Sequence, residues 1–204
     1  ALHPLTVARI CVDSAPLPER EWALRAGLGW AGRQGQLVRT DSGCCLVLGE
    51  LLVDLDLTPS RPTVKRCGRC RRCLDACPTQ AIQADGTMDA RRCISYWTIE
   101  HKASIPVERR PTLGAALFGC DRCTAVCPWN RFGNHRVPAE FVLRPAPSPA
   151  ECLAMDTREF NRRFAGTTVE RTGLERLQRN AAIALGNSAT PAAVPVLQLA
   201  LDRL

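Results

Sequence analysis

Eight of the chain's twelve cysteines fall into two spaced runs, and no other feature limits the fold so tightly. The first is Cys67-x2-Cys70-x2-Cys73-x3-Cys77-Pro78; the second is Cys120-x2-Cys123-x3-Cys127-Pro128, with Cys93 standing upstream. Two-residue gaps turn the backbone tightly enough to aim successive thiolates at one centre. The proline after each run fixes φ and cannot donate a hydrogen bond, so the chain leaves in a set direction. Paired C-x2-C knuckles also suit tetrahedral zinc, but zinc motifs rarely add a third cysteine two residues on and a Cys-Pro exit. A disulfide scaffold would go with a secretory signal, which this sequence does not resemble. The spacing therefore predicts two [4Fe-4S] clusters.

In bacterial runs of the first type the fourth cysteine ligates the other cluster. That crossing assigns Cys67, Cys70, Cys73 and Cys127 to cluster one, and Cys77, Cys93, Cys120 and Cys123 to cluster two. Cys11, Cys44, Cys45 and Cys152 lack ligand spacing and read as small buried hydrophobes.

The chain has 204 residues, 46% of them hydrophobic but only 5% aromatic, so cluster ligation is expected to replace part of the missing core. Its longest apolar run, Cys44–Leu57, is short for a membrane span and carries Glu50, Asp54 and Asp56. A soluble, cytoplasmic protein without a membrane partner is the expectation. The formal charge is +7, before counting roughly two negative charges for each oxidised cluster with its four thiolates. Arg61, Lys65, Arg66, Arg69, Arg71 and Arg72 crowd the first motif; Arg109, Arg110, Arg122, Arg131 and Arg136 surround the second. Such groups either tune the clusters or form a phosphate-binding face, and both readings stand.

Three regions follow, in an α+β chain. Residues 1–60 read as part of an α/β unit: a strand over Val7–Val12, a turn at Asp13–Pro16, a helix over Leu17–Ala26 closed by Gly27 and Gly29, and a helix over Leu46–Leu57. Asp13 or Ser14 would cap the first helix. Residues 61–136 form a ferredoxin-like two-cluster module, with an Asp85-Gly86 turn between Ile82 and Met88 and a helix over Cys93–Lys102. Residues 140–204 begin with a linker containing Pro145, Pro147 and Pro149 and continue as helices. One is striped by Leu174, Leu177, Ala181 and Leu185 and stopped by Gly186. The next opens at Thr190-Pro191 and is striped by Val194, Leu197, Leu201 and Leu204. The pair reads either as one α-solenoid repeat or as a hairpin packed on the main domain.

The order of these pieces resembles the epoxyqueuosine reductases, cobalamin-dependent enzymes of tRNA queuosine synthesis. The resemblance runs through Val12–Pro16, Arg25–Trp30, Leu48–Leu51, both cysteine motifs, Cys93–Tyr96, Gly119–Asp121 and Cys127–Asn130. It implies a partial cobalamin-binding unit at 1–60, a catalytic domain without its N-terminal region, and a HEAT-like repeat at 140–204. It also implies reduction of epoxyqueuosine at the tRNA wobble position, with electrons passing through two [4Fe-4S] clusters to cobalamin. By this resemblance Asp13 is the proton donor, which requires a pKa raised by a desolvated pocket. Ser95, Cys120 and Asp121 are the implied cobalamin contacts, and Lys102, Arg109 and Arg110 the contacts to an anticodon stem-loop. A monomer served by an external donor such as a ferredoxin or flavodoxin completes the expectation. Gly32-Arg33-Gln34 stands where the family usually has Gly-Lys-Asn, and Cys44-Cys45 where it has Ser-Trp. Other readings are a reductive dehalogenase-like enzyme, a plain two-cluster electron-transfer module, and a tRNA-binding protein stapled by clusters.

Overall fold

The computed structural model describes residues 7–13, 15–133 and 145–202. Its elements in chain order are β1 (Ala8–Cys11), α1 (Glu19–Arg25), β2 (Trp30–Ala31), β3 (Leu37–Val38), β4 (Glu50–Val53), α2 (Arg72–Asp75), α3 (Arg110–Leu113), α4 (Arg122–Ala125), α5 (Pro149–Ala154), α6 (Thr157–Phe164), α7 (Leu174–Ser188) and α8 (Ala193–Leu201). A π-helical turn spans Tyr96–Glu100. The result is a mixture of helices with two small antiparallel sheets, β1–β4 and β2–β3. No helix among the described residues is long and apolar enough to cross a membrane. The chain divides into two compact units. One takes the residues through Cys77, then Ile82–Met88 and the segment from Arg122; the other takes Pro78–Ala81, Asp89–Asp121 and the C-terminal helices. The expected cysteine module at 61–136 thus contributes to both.

In the first unit β1 matches the predicted strand, but its partner corrects the sequence reading. Residues within Leu46–Leu57, expected to be helical, form β4, with Ile10 opposite Leu51 and Cys11 opposite Glu50. Cross-strand pairing of Ile10, Leu51, Leu52 and Val53 outweighs the weak helical pattern. The Asp54 carboxylate accepts the Val7 N–H at 2.9 Å and ends the ladder. Cys11 is buried, whereas Ile10 is 76% and Leu51 53% exposed, so much of this ribbon's apolar surface faces outward. Helix α1 begins later than predicted, at Glu19, with Pro18 at the N-cap and no side-chain cap. The capping role considered for Asp13 is therefore excluded, and Ser14 lies outside the described residues. Gly27 ends the helix in a left-handed conformation (φ +70°), where an added Cβ would lie 2.2 Å from the Arg61 carbonyl oxygen. The Asp85-Gly86 turn forms as expected, bracketed by the Ile82–Met88 bridge.

The core of this unit is built around cysteine. Trp30, Val38 and Cys44 are buried together with Cys67, Cys127 and Trp129 against them. Trp30 and Trp129 meet edge to face with ring centroids 5.0 Å apart. A second cluster joins Cys73, Leu74 and Ile82 with Cys77, Cys123 and Val126, where the short helices α2 and α4 pack on each other.

In the second unit α7 is the central element. One face packs Leu177 and Ala181 against Cys152, Met155 and Phe160. The helix runs past Gly186 to Ser188 and ends at Ala189 in a left-handed conformation, so Gly186 is not its stop. Helix α8 starts at Ala193 rather than at Pro191, because Thr190 and Pro191 form the preceding turn. Its expected stripe is largely outward: Val194 is 65% and Leu201 62% exposed, and Leu204 lies outside the described residues. Two helices went unread in the sequence. Ser148 and Glu151 form a reciprocal capping box that starts α5 with Pro149 at its first position, and Asp156 caps α6.

The other face of α7 donates hydrogen bonds. Arg179 reaches the carbonyls of Trp97 (2.7 Å), His101 (2.7 Å) and Ala103 (2.6 Å). Asn180, fully buried, donates to Thr98 O and Leu117 O, both at 2.8 Å. Asn187 donates to Arg110 O and Gly114 O. The expected helix over Cys93–Lys102 takes the wider π form, and its free carbonyls find these donors.

Candidate metal centre

The four cysteines assigned to cluster one line one cavity. Cys67, Cys70, Cys73 and Cys127 share it with Arg33, Gln34, Arg72, Pro128 and Trp129. The first run wraps the cavity through local turns: Cys70 N–H donates to Cys67 O at 3.1 Å, and Cys77 N–H to Leu74 O at 3.2 Å. Cys127 is brought in by a matching turn onto Thr124 O at 3.0 Å. A zinc ion with Zn–S bonds of about 2.3 Å would hold its sulfurs about 3.8 Å from one another. No three His, Cys, Asp or Glu side chains among the described residues converge closely enough to share one ion. Four thiols spread around a common cavity suit a polynuclear cluster better. Burial pushes the Cys73 thiol above its ordinary pKa, with Cys67 and Cys70 adding to the effect.

Hydrogen-bond donors surround these cysteines, in the cavity lining and behind it. The indole N–H of Trp30, 2% exposed, donates to Cys67 Sγ at 3.4 Å. Gln34 is also 2% exposed; its Nε2 makes no hydrogen bond of normal geometry in the protein, although its amide lies close enough to the Cys44 sulfur to favour the thiolate there. Its oxygen end is lodged against Gly32, where a Cβ would lie 2.2 Å from Oε1. Arg33 ties the β2–β3 turn to the first motif by donating to Gly68 O (3.1 Å) and Ala84 O (3.2 Å), and its buried Nε is unpartnered. Unpaired buried donors are rare, and beside four sulfurs they fit a group rich in acceptors. The residues present therefore fit a cluster.

Cys44 lies beside this centre. Asn130 Oδ1 accepts its N–H at 2.9 Å and its thiol at 3.3 Å, while Asn130 Nδ2 donates to Thr124 O at 2.7 Å. Burial, then the Cys127 sulfur, push the Cys44 thiol up to about 12, so it stays protonated. Cys11, Cys44 and Cys152 are buried as expected; Cys45 is exposed, contrary to expectation.

The remaining candidate residues sit as follows. Cys77 and Cys123 pack on Leu74 and Ile82 in the first unit, while Cys120 packs on the Ile94–Trp97 cluster in the second, where Cys93 also belongs. Asp121 is exposed with φ +53°, and Ser95 is half-buried next to the π turn. Gly68, which follows Cys67 as Asp121 follows Cys120, has φ +55°. The two C-x2-C loops thus require the same left-handed residue, which gives Asp121 a structural reason for its conformation. Cys120 and Asp121 also line a cavity of about 1000 Å³ with Pro147, Arg162, Arg163 and Leu177; Ser95 does not line it. Asp13 follows β1, exposed and also left-handed (φ +49°). Lys102 and Arg110 are exposed, Arg110 donating to Ile105 O at 2.9 Å, and Arg109 lies over the Trp97 ring at 5.0 Å. Arg136 lies outside the described residues.

Spacing alone found the cysteines. It did not single out Trp30, Gln34 or Asn130, which reach the centre from 33 or more positions away or from its far rim. The only signals were the place of Trp30 and Asn130 in the matching segments and the departure at Gln34.

Comparison with known proteins agrees with this geometry. Residues 66–130 match the 4Fe-4S double cluster binding domain. The chain is 45% identical over 183 residues to an epoxyqueuosine reductase of Xanthomonas campestris, covering 88% of this chain and 52% of that one. It is 43% identical over 180 residues to an epoxyqueuosine reductase of Escherichia coli, covering 87% and 48%. A crystal structure of epoxyqueuosine reductase with an epoxyqueuosine-modified tRNA-Tyr stem loop superposes with TM-score 0.89 at 33% identity, covering 95% of this chain and 52% of that one. The Streptococcus thermophilus enzyme gives TM-score 0.84 at 32% identity, covering 98% and 54%. The chain spans about half the length of the relatives it matches.

Proposed function

From a chain that matches the epoxyqueuosine reductases in sequence and fold over about half their length, we propose that it takes part in reducing epoxyqueuosine to queuosine at the wobble position of tRNA. The observation that carries this reading is the four-cysteine cavity, set within a sequence similar to enzymes of that name. The reaction takes two electrons and two protons, removes the epoxide oxygen as water and leaves the ring alkene. Two [4Fe-4S] clusters, held by Cys67, Cys70, Cys73 and Cys127 and by Cys77, Cys93, Cys120 and Cys123, supply the electrons one at a time when bound.

Asp13 is the proposed proton donor. Its left-handed backbone is the kind of strain that gathers at active sites. A Bacillus subtilis epoxyqueuosine reductase has been solved with an aspartate catalytic loop swung out of the active site, which supports an aspartate on a loop in this role. Asp13 is exposed among the described residues, so its enclosure during the reaction would come from tRNA or from groups beyond them. Cobalamin has thinner support. Of its three implied contacts Cys120 and Asp121 line one cavity, and Ser95 does not line it.

Lys102, Arg109 and Arg110 are proposed phosphate contacts for the stem-loop, with the unpaired bases read individually. The regions 1–60, 61–136 and 140–204 would serve as catalytic, cluster and HEAT-like parts of a cytoplasmic monomer fed by a ferredoxin or flavodoxin.

The test is a nucleoside assay. Protein reconstituted anaerobically with iron, sulfide and cobalamin and given a chemical reductant should convert epoxyqueuosine-containing tRNA to queuosine. Asp13→Asn should slow that conversion by about 100-fold or more with both clusters retained. Protein that holds both clusters and the corrinoid yet forms no queuosine would overturn the reading in favour of a plain electron-transfer module.

A further inference from the structure

Cluster one has a donor shell of its own, and two residues in it are unlike ordinary core residues. Trp30 is buried among apolar groups, yet its N–H is spent on a cysteine sulfur rather than on a carbonyl. Gln34 brings a buried amide into the cavity wall, its nitrogen without a hydrogen bond of normal geometry and with only the Cys44 sulfur nearby. The fold goes to some length to keep it there. A Cβ at position 32 would meet the Gln34 carboxamide in its present place, and Arg33 anchors the turn to the loop carrying Cys67 and Cys70.

We propose that Trp30 and Gln34 are positioning residues that set the reduction potential of cluster one, by donating N–H···S hydrogen bonds to its thiolates and sulfides. The inference rests on the reading of Cys67, Cys70, Cys73 and Cys127 as one ligand set. Its physical basis is charge: reduction adds an electron to an already anionic cluster, and a fixed donor at sulfur stabilises the reduced form more than the oxidised one. Each donor therefore raises the potential. At sites this dry the effect is not shared with water, because both residues are only 2% exposed.

The experiment is a potentiometric titration of the whole reconstituted chain, followed by electron paramagnetic resonance. Two reduction steps are expected in the unaltered protein. Gln34→Leu and Trp30→Phe should each move the same one of these steps to lower potential, leave the other in place and retain full iron. Gln34→Asn should fall between. Should Gln34→Leu lose iron, Trp30→Phe and Gln34→Asn decide the matter, since they keep the packing or the donor. Unmoved potentials in these variants at full iron content would overturn the proposal, as would movement of both steps together. Failure of the underlying cluster reading shows itself separately, as an unaltered chain that takes up no cluster at Cys67–Cys127.

Discussion

Gly68 and Asp121 each follow the first cysteine of a C-x-Arg-Cys loop, and both have left-handed backbone. At such a position any residue with a Cβ costs about 1 kcal/mol or more relative to glycine, asparagine and aspartate least. Asp121→Gly is therefore expected to leave both clusters in place and to hold or raise the thermal midpoint. Its effect on corrinoid retention then isolates the carboxylate: loss of retention at full iron content assigns Asp121 a contact, and unchanged retention makes it a loop residue only. Cys44 is open to a similar separation. Cys44→Ser keeps a donor for Asn130 Oδ1 and should bind the same iron as the unaltered protein; a drop by one cluster would make Cys44 a ligand instead. At this scale the sequence was legible where chemistry is local. Eight cysteines a few positions apart declare themselves. Gln34 and Asn130 do not, because their roles arise from chain folding back across 33 positions to Cys67 and 86 positions to Cys44.

Helix α7 shows what periodicity conveys and what it hides. Leu174, Leu177 and Ala181 recur at helical spacing and predict a buried apolar face, which packs on Met155 and Phe160. Arg176, Arg179, Asn180 and Asn187 lie on another face and read as polar surface, yet they hold the backbone between Trp97 and Leu117. Burial lowers the Arg179 pKa from its ordinary value, with Arg176 adding to the effect. Asn180→Leu would leave Thr98 O and Leu117 O without their donor and should cost about 2–3 kcal/mol, read as a fall in the thermal midpoint. An unchanged midpoint would mean that water replaces the amide. The same contrast explains β4: the mixed apolar and acidic pattern around Leu51, Leu52 and Val53 suggested a helix, and pairing with Ala8–Cys11 makes them a strand.

For the whole molecule, a 5% aromatic content left little to build a core from, and two of the four tryptophans serve one cysteine cavity, Trp129 in its lining and Trp30 against Cys67. Ligation thus stands in for packing, and stability should follow metal content. The central claim, two clusters in crossed ligand sets, is tested most directly by counting iron and sulfide after anaerobic reconstitution of the intact chain and of single cysteine variants. The account predicts about eight irons and eight sulfides per chain. It also predicts that Cys127→Ala and Cys73→Ala leave the same residual resonance signal, and Cys123→Ala the other. Saturation at about four irons, preferential uptake of zinc, or a Cys127→Ala signal matching that of Cys123→Ala would contradict it.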